Sequence, residues 1–469
     1  MRWKPPKRAC AGERWFCAVA LANLVLGTSS VLVPLMLSRV LERGVGTLGI
    51  LSGLVSLVGV AGSLLWGRLS DAAHRRKPFV VASYAAVGLC LLAMAFVPSF
   101  SHFLWINMLM NFFWVANASV TVLIVIENRD EEEWEAKVGR LNQMGALGWV
   151  GGLLLGSGAL ALGTTLMPEE TAIRGLFALI AVAGLAASLL AFRRVPRTTP
   201  QYTRRAFRGI VLAAGNFLFE KRRFSPFHLY HRLHPRRILR ALRDPEGFRP
   251  GTKRFLAATF VSFLGLGLFG IPLPLLLSER FALPSSVVFA YFALQHLGVV
   301  VAFPLAAKRI KRLGNRHVQM TTIATRLLLF TAAAAFLALS SARPPMIALI
   351  IGFAIYGFTW SYFQLSGIAL VSRLAREENR GMALGLYNAL AGIGWVVAGL
   401  ASGVLAERAG YQTTSAAGAG LLVVALAVLF TVPSPKILPV DEASRQREGR
   451  PPEEAALQDL SDARSSGTR

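Results

Sequence analysis

The sequence predicts an all-α polytopic membrane protein: twelve transmembrane helices arranged as two parallel six-helix repeats. Three observations predict it. Hydrophobic residues make up 54% of the 469 and charged residues only 16%. A soluble chain carries about 25% charged residues, so this one has too few to cover a water-facing surface. The apolar residues gather into runs of about 20, the length a helix needs to cross ~30 Å of hydrocarbon. The second half of the chain repeats the first. Together these exclude an ordinary soluble enzyme, a disordered chain and a collagen-like one.

The elements follow in order. A basic segment, Met1 to Arg14, leads straight into an apolar run at 15–38. That run is too long for a signal-peptide core, and no small-residue cleavage site follows it, so it is the first span. Five more runs complete the first half, at 47–66, 79–97, 102–126, 141–163 and 173–192. Six follow in the second, at 255–278, 285–306, 318–339, 346–372, 382–406 and 413–432. Helices rather than strands are required, because each backbone group must be bonded within its own segment. The chain therefore divides into a six-helix bundle at 1–192, a basic linker at 193–252, a second bundle at 253–433 and a tail at 434–469. The tail is polar and rich in Pro, Glu and Arg, which predicts disorder.

The net charge of +25 would fit a nucleic-acid binder, but the positive residues sit in loops between apolar runs. That is the pattern of cytoplasmic membrane loops, so nucleic acid is not an expected partner. With the N-terminus inside, the outer loops hold only Arg39, Arg43, Arg174, Arg280, Arg343 and Arg408, and Arg326 lies within a span. The short loops carry the bias by themselves, through Arg68, Arg75, Arg76 and Lys77 in one and Lys308, Arg309, Lys311, Arg312 and Arg316 in another. Both termini are expected in the cytoplasm. In the linker, Lys221, Arg222, Arg223, Arg236, Arg237 and Arg240 interleave with Phe224, Phe227, Leu229, Leu233, Ile238 and Leu239. This reads either as a topology-enforcing tether or as an interfacial segment on anionic lipid, and the interleaving favours the lipid. None of Cys10, Cys17 and Cys90 falls in an outer segment, so disulfides are not expected.

The repeat is visible residue by residue. With an offset of 240, Leu24, Gly27, Pro34, Leu35 and Ser38 match Leu264, Gly267, Pro274, Leu275 and Ser278. With an offset of 246, Phe112, Trp114, Glu131, Glu132, Asn142, Gly148 and Trp149 match Phe358, Trp360, Glu377, Glu378, Asn388, Gly394 and Trp395. Shared leucines are cheap in apolar sequence; paired Trp, Asn and Glu are not. Both halves start on the same side, so the repeats are parallel. This arrangement places a site between them near the midplane and suits a rocking mechanism.

Between the second and third runs stands Gly67-Arg68-Leu69-Ser70-Asp71-Ala72-Ala73-His74-Arg75-Arg76-Lys77. This loop resembles the signature G-x-L-(A/S)-D-x-x-G-R-(R/K) of the major facilitator superfamily, with His74 in place of the second Gly. The matching loop of the second half keeps Gly314 and Arg316 but has Lys311 where Asp would be. The resemblance implies a secondary transporter, a monomer needing no cofactor, and a conformational gate. Gly67, Asp71, Arg75, Arg76 and Gly381 are its expected members. Asp71 is a carboxylate at the cytoplasmic rim that can face the positive start of helix eleven in one conformation and leave it in the other. The same residues also read simply as a topology-setting charge cluster.

The superfamily likeness implies that helices one, four, seven and ten line the cavity. Polar stripes on an apolar helix either bond to neighbouring helices or face water. On that basis the expected cavity residues are Asn23 and Ser30 in helix one, Asn107, Asn111 and Trp114 in helix four, and Tyr356, Trp360 and Gln364 in helix ten. Helix five carries Gly145, Gly148, Gly151, Gly152, Gly156 and Gly158, which reads as close packing. It looks like the glycine-rich motif of drug/proton antiporters, with Trp149 where their Pro would be. No Asp or Glu lies deep in a span, and Asn111 stands where those antiporters carry Arg. His296 is ionisable near neutral pH and lies near the midplane, so it is a possible proton carrier, or else an interhelical hydrogen-bond former. Arg326 is expected to reach toward the cytoplasmic interface. The three His at 228, 231 and 234 lack the Cys or carboxylate company of a metal site, so no metal is expected.

The expected function is therefore secondary active transport, by alternating access, of a small organic molecule that is amphipathic or apolar. Efflux from the cell across the plasma membrane follows from the resemblance to exporters. Lipid or lysolipid flipping is the alternative within transport. A polytopic membrane enzyme would need converging carboxylates or metal ligands that the sequence does not provide.

Overall fold

Each apolar run falls on a helix. The computed structural model describes residues 14–73, 76–127, 134–196, 250–340, 342–375 and 380–433. In the first half the helices are α1 (Phe16–Leu35), α2 (Val45–Ala73), α3 (Lys77–Ala95), α4 (Phe100–Glu127), α5 (Trp134–Leu166) and α6 (Glu169–Arg194). The second half has α7 (Pro250–Gly270), α8 (Ser285–Leu313), α9 (Asn315–Leu339) and α10 (Met346–Leu374). A last run, Arg380–Phe430, bends at Gly410 (φ 83°, ψ 166°); α11 is the part before the bend and α12 the part after it. No strand occurs among the described residues.

Several helices overshoot the predicted spans. α2 has 29 residues and α5 has 33, against the ~20 a bilayer needs. A helix that leaves hydrocarbon keeps its internal backbone bonds at no loss, so polar ends extend it into the headgroup layer. Pro168, Pro284 and Pro345 stand just ahead of α6, α8 and α10, where a missing N–H costs nothing. Ten stretches among the described residues are long and apolar enough to cross a membrane, and the last of them contains the Gly410 bend.

The halves repeat in packing as well as in sequence. In the first, α1 packs on α5 and α6, α3 on α4 and α6, and α2 on α4. In the second, α7 and α9 pack on the α11–α12 run, α9 also on α10, and α8 on α10. Individual contacts follow the sequence offsets. Gly27 of α1 lies against the Trp149 backbone, and Gly267 of α7 against the Trp395 ring and Ala398. Gly148 abuts the Ala20 carbonyl, and Gly394 the Phe260 carbonyl. Asn111 donates from its amide to the Val55 carbonyl at 2.7 Å, while its counterpart Gly357 presses on the Gln295 carbonyl. The duplication even preserves irregularities. α1 ends in a π-helical turn, Met36–Val40, and the chain after α7 ends in another, Leu276–Arg280. Each is followed by a residue with positive φ, Glu42 at 50° and Ala282 at 48°.

The two halves meet along two seams, α2 with α11 and α5 with α8. In the first, a Cβ added to Gly49 would lie 2.6 Å from the Gly399 carbonyl oxygen, and one added to Gly403 would lie 2.7 Å from the Gly46 oxygen. Small residues let the helix backbones touch here. In the second, Gly156 packs on the Phe289 ring and Ser157 Oγ donates to the Ser286 carbonyl at 2.9 Å. Both seams lie at the face remote from Trp15 and Val432. Further bonds between the halves close that far face: Arg39 donates to the Ser278 carbonyl at 3.0 Å and Ser285 Oγ to Glu169. The described residues through Val432 belong to one compact unit.

The far face also explains three of the arginines that the charge bias left outside. Arg39 binds Ser278 O, Arg174 binds Ala95 O and Val97 O, and Arg343 binds Phe281 O and Ala282 O. Each satisfies carbonyls that a helix end or π turn leaves over. The expectations for the linker, apart from residues 193–196 and 250–252, and for the whole tail fall outside the described residues.

Candidate functional site

A cavity of about 700 Å³ lies between the halves, on the termini side of the seams. Small-molecule sites span ~300–1000 Å³. Its walls come from six helices. α1 supplies Val19 and Asn23, and α4 supplies Trp114, Asn117 and Thr121. α5 contributes Leu141, Asn142, Gly145, Ala146 and Trp149; α8 contributes Gln295, His296, Val299 and Val300. Tyr356 and Trp360 come from α10, and Trp395 from α11.

Four tryptophans dominate the wall, and they are two symmetry pairs: Trp114 with Trp360, and Trp149 with Trp395. No Asp, Glu, Lys or Arg is among the described lining residues. Polarity comes instead from amides, hydroxyls and one imidazole. Trp149 Nε1 and Gln295 Oε1 are buried without a hydrogen-bond partner among the described residues. Both atoms are shielded from the cavity in this conformation. A small uncharged molecule in this space would meet amide and hydroxyl groups on some sides and indole faces on others.

The expected cavity residues divide. Asn23, Trp114, Tyr356, Trp360 and His296 line the space. Ser30, Asn107, Asn111 and Gln364 are not among its lining residues. Ser30 donates to the Gly27 carbonyl at 2.7 Å, Asn107 is buried, and the Asn111 amide holds α4 to α2. The polar stripe on α4 thus serves two purposes. Of the helices the resemblance implies, α1, α4 and α10 supply described lining residues and α7 supplies none, while α5, α8 and α11 supply the others. Trp149, Trp395, Asn142 and Gln295 were not expected in the cavity. The signal for the first three was in the repeat: a Trp and an Asn retained in both halves of a glycine-rich helix.

His296 sits at the α5–α8 boundary. Its ring stacks on Trp149, with centroids 5.5 Å apart and planes at 20°. Its Nδ1–H donates to the Phe292 carbonyl at 2.9 Å; a carbonyl can only accept, which fixes the tautomer. Nε2 is left as the basic nitrogen.

Arg326 does not reach an interface. It is fully buried in the second half. Its Nη2 donates to the Tyr356 carbonyl at 2.8 Å, and its guanidinium lies 4.6 Å from the Tyr356 ring centroid and 5.4 Å from that of Trp360. Nε and Nη1 have no partner among the described residues. Two cavity-facing aromatic rings therefore rest on one buried cation. Such contacts stabilise by roughly 2 kcal/mol when desolvated.

Of the expected gate, Gly67 and Asp71 lie on the last turns of α2 and Gly381 near the start of α11. Arg75, and the surroundings of the Asp71 side chain, lie outside the described residues. Arg76 is buried just ahead of α3. Among the described residues no cluster of His, Cys, Asp or Glu could hold a metal ion.

The family model for the major facilitator superfamily matches residues 15–316 and 255–467, two overlapping stretches that together run through nearly the whole chain. The chain belongs to the major facilitator superfamily. It is a membrane transporter rather than an enzyme, with the twelve-helix, two-repeat fold of that family. Solved structures of similar fold include the nucleoside transporter NupG, with a TM-score of 0.62 and 14% identity, covering 90% of this chain and 99% of that one. A peptide-transporter (POT) family member in complex with a thioalcohol-conjugated peptide aligns with a TM-score of 0.64 and 11% identity, over 89% of this chain and 95% of that one. The human organic anion transporter MFSD10 (TETRAN) aligns with a TM-score of 0.57 and 17% identity, over 91% of this chain and 100% of that one. No curated protein matches the chain in sequence.

Proposed function

We propose that this transporter moves a small, uncharged, amphipathic organic molecule outward across the plasma membrane by alternating access. One observation carries the reading: a cavity walled by four tryptophans and several amides, with no charged residue among its described lining residues. With both termini cytoplasmic, the closed seams lie outside and the cavity lies on the cytoplasmic side. Asp71, Arg75 and Arg76 with Gly381 then form the cytoplasmic gate, which closes as the far seams part. The basic linker rests on anionic lipid, and one chain suffices, because a single chain supplies every wall.

Proteoliposome transport tests this with three classes of cargo: neutral amphipaths such as planar heteroaromatic alcohols, sugars, and dicarboxylates. Neutral amphipaths should be carried at least tenfold faster than the other two. Preferential transport of a sugar or a dicarboxylate would sink the reading.

Coupling is proposed to run through His296 Nε2, the basic nitrogen left by the Phe292 bond. His296→Gln should abolish stimulation by a pH gradient and leave cargo exchange across the membrane intact. The amide keeps a hydrogen-bonding side chain against Trp149, so packing loss is small. Gradient-driven transport that persists in the Gln variant would remove His296 as the carrier.

A further inference from the structure

Trp114 and Trp360 are equivalent positions of the repeat, yet what stands behind them differs in charge. In the first half Tyr84 of α3 stacks on Trp114, with ring centroids 6.4 Å apart and planes at 21°. In the second half the support comes from α9, and it is the Arg326 guanidinium, 5.4 Å from the Trp360 centroid and 4.6 Å from that of Tyr356. Trp114, Trp360 and Tyr356 all line the central cavity. One wall of the cavity is therefore backed by a neutral ring and the other by a fixed positive charge.

That charge is not neutralised nearby. Arginine keeps its proton in proteins. Its Nη2 donates to the Tyr356 carbonyl, which also accepts from Thr359 Oγ1 at 3.1 Å, and a carbonyl has no net charge to offer. Nε and Nη1 have no partner, and no carboxylate bonds the guanidinium among the described residues. A space of about 310 Å³ beside Tyr356, which Gly352 leaves open, is lined by hydrocarbon side chains apart from that tyrosine. A buried charge is screened far less than an exposed one. The cavity thus has no charged residue among its described lining residues and still carries a positive field through its second-half wall.

We propose that Arg326 sets the selectivity of the cavity by barring permanently cationic molecules, quaternary ammonium ions above all. Aromatic walls recognise such ions through the negative potential of the ring faces. With a guanidinium already against Tyr356 and Trp360, a second cation drawn to either ring from the cavity side meets the first one's repulsion. The two charges would lie ~9 Å apart, given the usual distance of a cation from a ring centroid. At an effective dielectric of ~20 that repulsion weakens binding about twentyfold. The inference rests on the cavity reading above and adds to it the group that enforces uncharged cargo.

The test uses an isosteric pair, 3-tert-butylphenol and the (3-hydroxyphenyl)trimethylammonium ion, which differ by one central atom and one charge. The parent protein, Arg326→Met and Arg326→Gln are reconstituted in nanodiscs of zwitterionic lipid and titrated at neutral pH. Binding is followed by the fluorescence of the cavity tryptophans. The quantity read is the ratio of the ammonium Kd to the phenol Kd, compared between proteins, so partition of either probe into lipid cancels. The ratio should fall at least tenfold in both variants. A merely structural role for Arg326 would weaken both probes alike and leave the ratio where it was. Gln can still donate to the Tyr356 carbonyl and Met cannot, so agreement between them assigns the change to charge rather than to that bond. Should one variant fail to fold, the other carries the comparison. A ratio equal to the parent's would overturn the selectivity role and leave the cavity reading standing. A parent that binds neither probe would overturn both.

Discussion

Gly403→Val should cut transport at least tenfold while leaving the protein inserted and expressed. An added Cβ at Gly403 meets the Gly46 oxygen at 2.7 Å, the Gly49 Cα at 2.8 Å and the Val45 oxygen at 2.9 Å. All three are backbone atoms of α2, so none can swing aside as a flexible side chain would. Overpacking of this kind costs about 1–3 kcal/mol, and every 1.4 kcal/mol shifts an equilibrium tenfold. The penalty applies only while the far face is closed. The variant should therefore populate the far-open conformation and stall there, since a transport cycle must visit both. A cysteine replacing Asn23, in a background without native cysteines, reports the shift. Its labelling by a membrane-impermeant thiol reagent from the far side should rise in the Val variant. Turnover and far-side labelling equal to the parent would mean that the α2–α11 seam stays closed throughout the cycle.

Arg326→Met should leave stability within about 1 kcal/mol of the parent, and Arg326→Ala should cost ~3 kcal/mol or more through the void left by a large buried side chain. The contrast follows from the environment. The guanidinium has one hydrogen bond, two aromatic faces and no acidic partner among the described residues. Its removal loses the bond to the Tyr356 carbonyl, about 1.5–3 kcal/mol for a charged donor, and the ring contacts. It also relieves the burial of an unpaired charge, which costs several kcal/mol. Met fills similar volume and lets these effects nearly cancel. Transport should nevertheless fall at least fivefold in both variants, because Tyr356 and Trp360 lose the cation that holds their faces toward the cavity. Thermal unfolding in detergent, read beside proteoliposome transport, separates the two effects. A Met variant that transports as the parent does would make Arg326 a packing residue only.

Most of the fold was legible from the sequence because lipid leaves a chain few choices. A run of about 20 apolar residues must be a helix, and paired Trp, Asn and Gly residues disclosed the duplication that the contacts reproduce. The cavity was less legible. Polar residues on α4 look alike in sequence, yet Asn111 bonds to a backbone carbonyl of α2 whereas Asn117 lines the cavity. What separates them is the rotation of α4 against its neighbours, which no local pattern encodes. Arg326 misled for a related reason. An arginine in a span usually extends to the headgroups, but here the Tyr356 carbonyl and two aromatic rings solvate it in place. The tryptophans of α5 and α11 read in sequence only as marks of the repeat, and the rotation of their helices brings both into one wall.

The two seams between the halves have a further consequence. Exchange of the halves turns the α2–α11 contact into the α8–α5 contact, so the seams are one isologous interface used twice, as in a two-fold homodimer. In a true homodimer every substitution appears in both copies and the central site must stay symmetric. Covalent fusion lifts that constraint. The walls kept their paired tryptophans, but His296 has Ser56 as its counterpart, Asp71 has Lys311, and Gly352 has Ile106. Under the proposed mechanism each departure falls where a vectorial carrier needs its two halves to differ: at the proposed proton carrier, at the proposed gate, and at the space beside the cavity.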